Sequence, residues 1–457
     1  MSDLLRDAEG PPMSDLVLRD AEVDGSRVDV RVRDGLVAVV APAGTLRGPA
    51  LGCGGAALLP GLVDHHVHLH ALAAARRSVD CSNPARLAAA LGTAVADEHG
   101  WVRGTGYPGD DLDARTLDAL HPARPVRVQH RSGALWVLNS RALAALGPLD
   151  HAGVERAADG TPTGRLFRAD DWLRTRLPAA VLPDLTEVGR ELAGYGITAV
   201  IDATPDLADE AARALTAVPQ RVTLLGLPLD ATVPSKAAVG PLKIVLADSG
   251  LPPFDELVAR IGAAHAAGRG VAVHSVTRES LVLLLAALDE AGRHPADRVE
   301  HAALVPEELV PALRGLAVVT QPGFLADRGD LFRREVPAEE HGDLYRCRSL
   351  LEAGVAVAFS SDAPYGPVDP WTVIGAATTR RTPDGAPLTP GEALTARQAL
   401  DAYLAPPDDP GGPARRIVPG DPADLVLLDR PLAQVLTAPS AHAVRGTMIG
   451  GRWVYGG

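Results

Sequence analysis

Lysine and aromatic side chains are scarce in this chain, with Phe, Trp and Tyr making up 4% of its 457 residues. Alanine, glycine, proline and arginine dominate instead, a balance that a GC-rich coding sequence produces and that carries no functional information. Cysteine is nearly absent. Cys53, Cys81 and Cys347 are odd in number and unrelated in spacing, which argues against a disulfide framework or a thiolate zinc site and fits a reducing cytoplasm. No block of basic residues could follow a phosphate backbone. The 57 acidic side chains outnumber 44 basic ones, for a formal charge of −13, so nucleic acid is not an expected partner. No apolar run approaches the length of a membrane span, and the opening MSDLLRDAEG lacks the basic and apolar regions of a secretory signal; neither membrane nor export is expected. That opening is nearly repeated as MSDLVLRDAEVDG from Met13. Residues 1–12 read as an upstream start or a cloning scar, and residues 1–15 are expected to be disordered.

What is present is an apolar content of 46%, enough for the core of an ordinary barrel and a second small domain. The stretch that organises the rest is PGLVDHHVHLH at 60–70. Leu58 to Val67 reads as the first strand of a barrel, and His66 and His68, two apart, point to one face where both imidazoles can meet one cation. A lone pair of this kind at a strand end is ordinary. Far downstream, however, Lys243, His274, His301 and Asp362 each stand at the end of a short apolar run, where a β/α barrel places its working groups.

Taken in order, residues 16 to 54 hold short β-rich runs separated by Asp24-Gly25 and Asp34-Gly35, both hairpin signals. Residues 423 to 455 have the same character, and the two ends are expected to pair into one small β-sandwich. Between them, strand-like runs alternate with alanine- and leucine-rich helical stretches, the pattern of a parallel sheet with helical crossovers. Eight strands are predicted: Leu58 to Val67, Ile197 to Ala203, Val222 to Leu227, Leu242 to Leu246, Val271 to His274, Val299 to His301, Leu316 to Thr320 and Val355 to Ser360. The expected fold is therefore α/β, a (β/α)8 barrel over residues 58–414 with sandwich halves at 1–57 and 415–457. The gap of about 130 residues between His68 and Ile197 predicts an insertion at about 75–190, placed over the barrel mouth as a lid or substrate-selecting wall. Within it, Val126 to Gln129 and Leu135 to Leu138 read as strands, and Asn139 to Leu146 as a helix start with Ser140 near its cap.

In a closed barrel the last strand lies beside the first, so His66, His68 and Asp362 become neighbours. Two imidazoles and a carboxylate suit zinc or a similar divalent ion. Asp362 can also act as general acid and base, taking a proton as hydroxide attacks a carbonyl and returning it to the leaving nitrogen. His274 and His301 form a second imidazole pair. An ammonium at Lys243 would be repelled by metal, but its neutral amine can react with carbon dioxide to give a carbamate that bridges two ions; the alternative is a plain salt bridge. Gln321, Tyr365 and Trp371, beside ligand-bearing strand ends, are candidate pocket residues. The remaining histidines are assigned no role, apart from His70 and His130 as pocket candidates.

These segments together resemble the amidohydrolase superfamily, in the family 3 branch that includes N-substituted formamide deformylases. PGLVDHHVHLH resembles the branch's first-strand metal motif. PLKIVLADSG at 241–250, VAVHSVT at 271–277 and RVEHAALV at 298–305 are similar to its fourth-, fifth- and sixth-strand segments. VTQPGF at 319–324 and AFSSDAPYGPVDPW at 358–371 resemble the seventh and eighth, and PGDPADLVLLD at 419–429 a closing sandwich strand. The resemblance implies a distorted barrel with one or two metal ions per chain that hydrolyses amide or ester-like bonds. It assigns His66, His68, His274, His301 and Asp362 as ligands, with Lys243 as a carboxylated bridge where two ions bind. Two departures stand out: Ala134 replaces a histidine usual in the HRSGALWVLNS segment, and the chain is shorter than is typical of the branch.

The reading is a metal-dependent hydrolase of a non-peptide carbon–nitrogen bond in a small-molecule substrate, with a homodimer as a candidate assembly. An ester or lactone substrate is an alternative within the same chemistry. Deaminase-type members place a glutamate three residues after the strand-five histidine, and here that position is Thr277. A non-catalytic scaffold is the reading outside enzymology, and the presence of all six candidate ligands speaks against it.

Overall fold

The computed structural model describes residues 15–178, 183–247 and 250–457; the duplicated opening, with its expected disorder, lies outside them. The chain divides into two compact units, one of residues 70–184 and the other of residues 1–69 with 185–457.

In the larger unit, Leu16–Val23, Ser26–Arg33 and Leu36–Pro42 form an antiparallel meander, with Ala50–Gly52 parallel to the first. The two hairpins turn at Asp24-Gly25 and Asp34-Gly35, where all four residues have positive φ (48° and 77°, 50° and 79°), the geometry whose twist matches the flanking strands. Leu425–Leu428, Val444–Ile449 and Arg452–Gly456 make a second antiparallel sheet, edged by Leu58–Pro60. Alternate residues of the two sheets, Leu16, Leu18, Val30 and Val32 from one and Leu58, Leu425, Leu427 and Met448 from the other, enter one shared apolar cluster.

Each of the eight predicted runs contains a strand. All the strands from Leu62 onward in this series are parallel, but they form two ladders rather than one. Leu62–Val67, Ile197–Asp202, Arg221–Leu224 and a short, unpredicted Ala237–Val239 make the first. Leu242–Val245, Val271–Ser275, Arg298–His301, Ala317–Thr320 and Ala356–Phe359 make the second. Single backbone hydrogen bonds link them at both margins. Lys243 N donates to Leu225 O at 3.0 Å, Asp362 N to His66 O at 2.9 Å and His68 N to Ala363 O at 3.0 Å. Leu62–Val67 and Ile197–Asp202 are buried at every position, as parallel strands covered on both faces are. The helices bury a stripe: in Arg278–Ala291, Leu281, Leu284, Leu285 and Leu288 are inside, spaced as a helix face requires.

One element is corrected. The predicted strand Leu58 to Val67 is two strands, because Leu58–Pro60 pairs antiparallel with Leu425–Leu428 while Leu62–Val67 pairs parallel with Ile197–Asp202. Gly61 lies between them, its N–H bonded to Asp424 O at 2.8 Å. A Cβ at Gly61 would stand 2.0 Å from Thr198 Oγ1, and Thr198 is itself fully buried. A β-branched side chain there has no room to swing aside.

The smaller unit is a six-stranded sheet in the order Val154–Arg156, Pro162–Phe167, Leu135–Leu138, Val126–His130, Val102–Tyr107, Val79–Asp80. Val102, Val126, Val128, Leu135 and Val137 bury on one face, and Trp136, Leu138 and Leu166 on the other. The helix Ser140–Leu146 is capped by Asn139, whose side chain accepts from Ala142 N at 2.9 Å, and Ser140, expected near the cap, is the first helical residue. All three cysteines are buried and unpaired.

Gly61→Ala is expected to lower the unfolding free energy by about 1–3 kcal/mol through overpacking, read as a lower urea midpoint at unchanged slope. An unchanged midpoint would show that the sheet-to-sheet crossing tolerates a side chain.

Candidate metal centre

His66 and His68 stand at and just beyond the carboxyl end of Leu62–Val67. His66 is fully buried. Its Nδ1 donates to Glu300 Oε2, while Glu300 Oε1 accepts from Arg298 Nε at 2.6 Å. Burial pushes the His66 imidazolium pKa well below its ordinary value, so the ring is neutral, with its proton on the nitrogen that faces Glu300. A carboxylate behind an imidazole thus directs the lone pair of the other nitrogen forward. That Nε2 lies 3.6 Å from Asp362 Oδ1 and 3.3 Å from Lys243 Nζ. His68 is arranged in the same sense, with Nδ1 3.4 Å from Thr204 Oγ1 and Nε2 3.2 Å from Asp362 Oδ1.

Ligand atoms of His66, His68 and Asp362 all lie within 4.8 Å of one another. Asp362 has φ of 52°, and its N–H on His66 O fixes where the carboxylate projects. Burial alone would raise its pKa, but the contact with His68 and the fields of His301, His66 and His68 hold it well below the usual carboxylate range. Even so, Asp362 Oδ1 is sealed from solvent with no hydrogen-bond partner. A buried anionic oxygen facing two imidazole nitrogens off the line of any hydrogen bond is costly as it stands. Two imidazoles and a carboxylate are a donor set that fits a divalent cation.

The other candidates extend this cluster. His301 Nδ1 lies 2.9 Å from Gln321 Oε1 and 3.9 Å from Asp362 Oδ2. Its ring centroid is 4.8 Å from that of His66 and 4.4 Å from that of His274. Burial lowers the pKa of both His274 and His301. Burial also lowers Lys243 to about 8, against the opposing fields of Glu300 and Asp362, so a share of neutral amine exists near neutral pH.

The pocket candidates divide. Tyr365 stays beside the cluster, its ring edge-on to His68 at 5.6 Å. Gln321 is buried, holds His301, and donates Nε2 to Ser360 Oγ at 2.9 Å and Val319 O at 3.3 Å. Trp371 is corrected to a core residue. It is fully buried on the helix Pro370–Thr379, with Nε1 donating to Tyr195 O at 3.1 Å. Thr277 caps the helix Arg278–Ala291. His70 and His130 belong to the smaller unit.

Sequence reading missed Glu300, Arg298, Asp64 and Thr204. Glu300 is adjacent to His301, and strict alternation would send the two side chains to opposite faces. His301 instead has φ of 73°, so the strand ends there and both residues serve one cluster. The available signal was a carboxylate and a guanidinium inside a wholly buried strand, RVEH, which charges enter only when paired.

The sequence profile of the amidohydrolase family matches residues 52–455. The chain is 28% identical to the N-substituted formamide deformylase of Arthrobacter pascens, over 92% of its own length and 94% of that protein's. Two uncharacterized metal-dependent hydrolases share the fold. The one from Pyrococcus horikoshii OT3 has a TM-score of 0.74 at 20% identity, covering 91% of this chain and 98% of the other. The one from Pyrococcus furiosus has a TM-score of 0.71 at 21% identity, covering 91% and 99%. The chain belongs to the amidohydrolase family, in its family 3 branch, and is a hydrolase of carbon–nitrogen bonds other than peptide bonds.

Proposed function

We propose that this enzyme hydrolyses a small-molecule amide, with N-substituted formamides as the first class, at a metal centre on a distorted (β/α)8 barrel. In this reading the barrel spans residues 58–414 with an insertion at about 75–190, and residues 1–57 and 415–457 form a β-sandwich. The name of the Arthrobacter pascens relative supports the formamide class. The observation that carries the metal is the orphaned Oδ1 of Asp362 between the Nε2 atoms of His66 and His68.

His66, His68 and Asp362 would hold a first ion, zinc by the character of the donors. His274 and His301, with Lys243 as a carbamate bridge, would hold a second. Bound there, the ion would supply Lewis acidity, making a water molecule acidic near neutral pH and polarising the substrate carbonyl. The protein's own groups do the rest. Asp362, kept ionised, takes the proton of the attacking water and delivers it to the leaving nitrogen as the tetrahedral carbon collapses. Glu300, Thr204 and Gln321 hold the imidazoles of His66, His68 and His301 in register. Lys243, neutral in part, can add carbon dioxide through its amine with loss of one proton, and the product carries the negative charge a bridge needs.

Protein grown with zinc and bicarbonate and purified without chelator is expected to carry one to two zinc ions per chain by plasma mass spectrometry. Two would support the Lys243 bridge, one would return Lys243 to an ordinary lysine, and none after reloading would end the metal reading. Asp362→Asn is expected to reduce turnover of an N-substituted formamide by about 10²–10⁴-fold with the unfolding midpoint unchanged; a parental rate would remove the proposed acid–base role. Glu300→Gln is expected to weaken zinc binding about 10–100-fold, measured by competition with a chromophoric chelator, and unaltered affinity would show that His66 needs no partner.

A further inference from the structure

The smaller unit contains a cationic cleft that the proposed reaction does not use. Val102–Tyr107 and Val126–His130 run parallel with Arg103 directly beside Arg127. Like charges in direct register on neighbouring strands repel, yet both side chains stay partly buried instead of turning out to water. Both guanidinium groups lie over the ring of Trp136, 5.4 Å and 5.2 Å from its centroid. That indole is anchored by its Nε1, which donates to Asp170 Oδ1 at 2.8 Å.

The two arginines are partnered unequally. Arg103 donates to Ser78 Oγ at 2.8 Å and to Gln129 Oε1 at 3.4 Å. Arg127 has neither a hydrogen bond nor a close ion pair among the described residues, and its Nε is sealed from solvent without an acceptor. Stacking on an indole stabilises a cation, but it satisfies none of the five N–H donors that a guanidinium carries.

Against these groups opens a cleft of about 570 Å³, lined also by Arg77, Trp101 and residues 97–99, a size in the range of small-molecule sites. Its two carboxylates are engaged locally. Asp97 Oδ1 accepts from the N–H groups of His99 and Trp101 at 3.0 Å and 2.8 Å, and Glu98 lies 3.6 Å from His99 Nε2. Burial lowers the Arg127 pKa, with the fields of Asp97 and Asp170 opposing it. Two adjacent guanidinium groups, both set over the anchored Trp136 ring, therefore line the cleft, and that of Arg127 has no acceptor among the described residues.

We propose that this cleft binds the oxyanion end of a small molecule, a carboxylate or a phosphate monoester, seated on Arg127 and Arg103. The planar guanidinium fork matches two oxygens of such a group, and one anion would both satisfy Arg127 and cancel the repulsion between the strands. The site stands independently of the metal centre.

Calorimetric titration of the full chain with inorganic phosphate and, separately, with propionate, at ionic strength held constant with chloride, tests it. At least one probe is expected to saturate with Kd below about 1 mM, and Arg127→Met to weaken it about tenfold or more. Arg77→Met, an exposed change at the lip, is expected to weaken it several-fold without moving the unfolding midpoint, and it decides the question alone if Arg127→Met does not fold. These variants also separate the cleft from anion binding at His66 and Asp362. A response to phosphate alone identifies a phosphorylated ligand, to propionate alone a carboxylate, and to both an oxyanion site of either kind. Saturation by neither probe, or parental affinity in the arginine variants, overturns the proposal.

Discussion

The candidate metal centre depends on one buried carboxylate that is not itself a ligand. Asp64 accepts from Ser361 N at 3.1 Å and His66 N at 3.2 Å through Oδ1, and from Ser361 Oγ at 2.5 Å through Oδ2. It thereby ties the strand that carries His66 to the turn that carries Asp362. The two parallel ladders share no continuous register at this margin, so His66 and Asp362 would otherwise be related only through the backbone bonds from Asp362 N and His68 N. Burial raises the Asp64 pKa to about 6 even though three hydrogen bonds work the other way. Removing that carboxylate would leave buried donors without acceptors, which costs more than the bonds themselves contribute.

Around this tie, the candidate centre is built of neutral imidazoles and one carboxylate. Burial keeps His66, His274 and His301 neutral and thus supplies lone pairs rather than positive charge. The fully buried carboxylate of Glu300 is balanced by Arg298, whereas Asp362 has only imidazoles and a partly neutral lysine near it. Two backbones are held in a conformation that non-glycine residues rarely adopt, His301 at φ 73° and Asp362 at φ 52°. Each costs on the order of 1–2 kcal/mol. Such strain persists where surrounding contacts over-determine it, and the bonds at Asp362 N and O supply those contacts.

Much of this was legible in the sequence because the governing signals are local. The i, i+2 histidines, the Asp-Gly hairpins and the apolar runs of doubly buried strands each depend on a few neighbouring residues. What escaped depends on distant pairing. Gly61 looks like a position inside one strand, and only its opposite partners, Leu425–Leu428 on one side and Ile197–Asp202 on the other, split it in two. Glu300 was hidden by the left-handed His301, which breaks the alternation from which faces are read. Gln321 and Trp371 lie close in sequence to the site but point inward, the first to position a histidine and the second to fill the core. Nearness to a motif gives position along the chain and not direction.

The pairing of Leu58–Pro60 with Leu425–Leu428 has a consequence for biosynthesis. A ribosome emits the strand that carries His66 early, but the sheet that edges its entry cannot form until nearly the whole chain has been translated. The turn holding Asp362 also arrives late. Long-range pairing of this kind is slow to form and leaves apolar edges open meanwhile, so the apolar faces of the N-terminal meander stay uncovered until the C-terminal strands arrive.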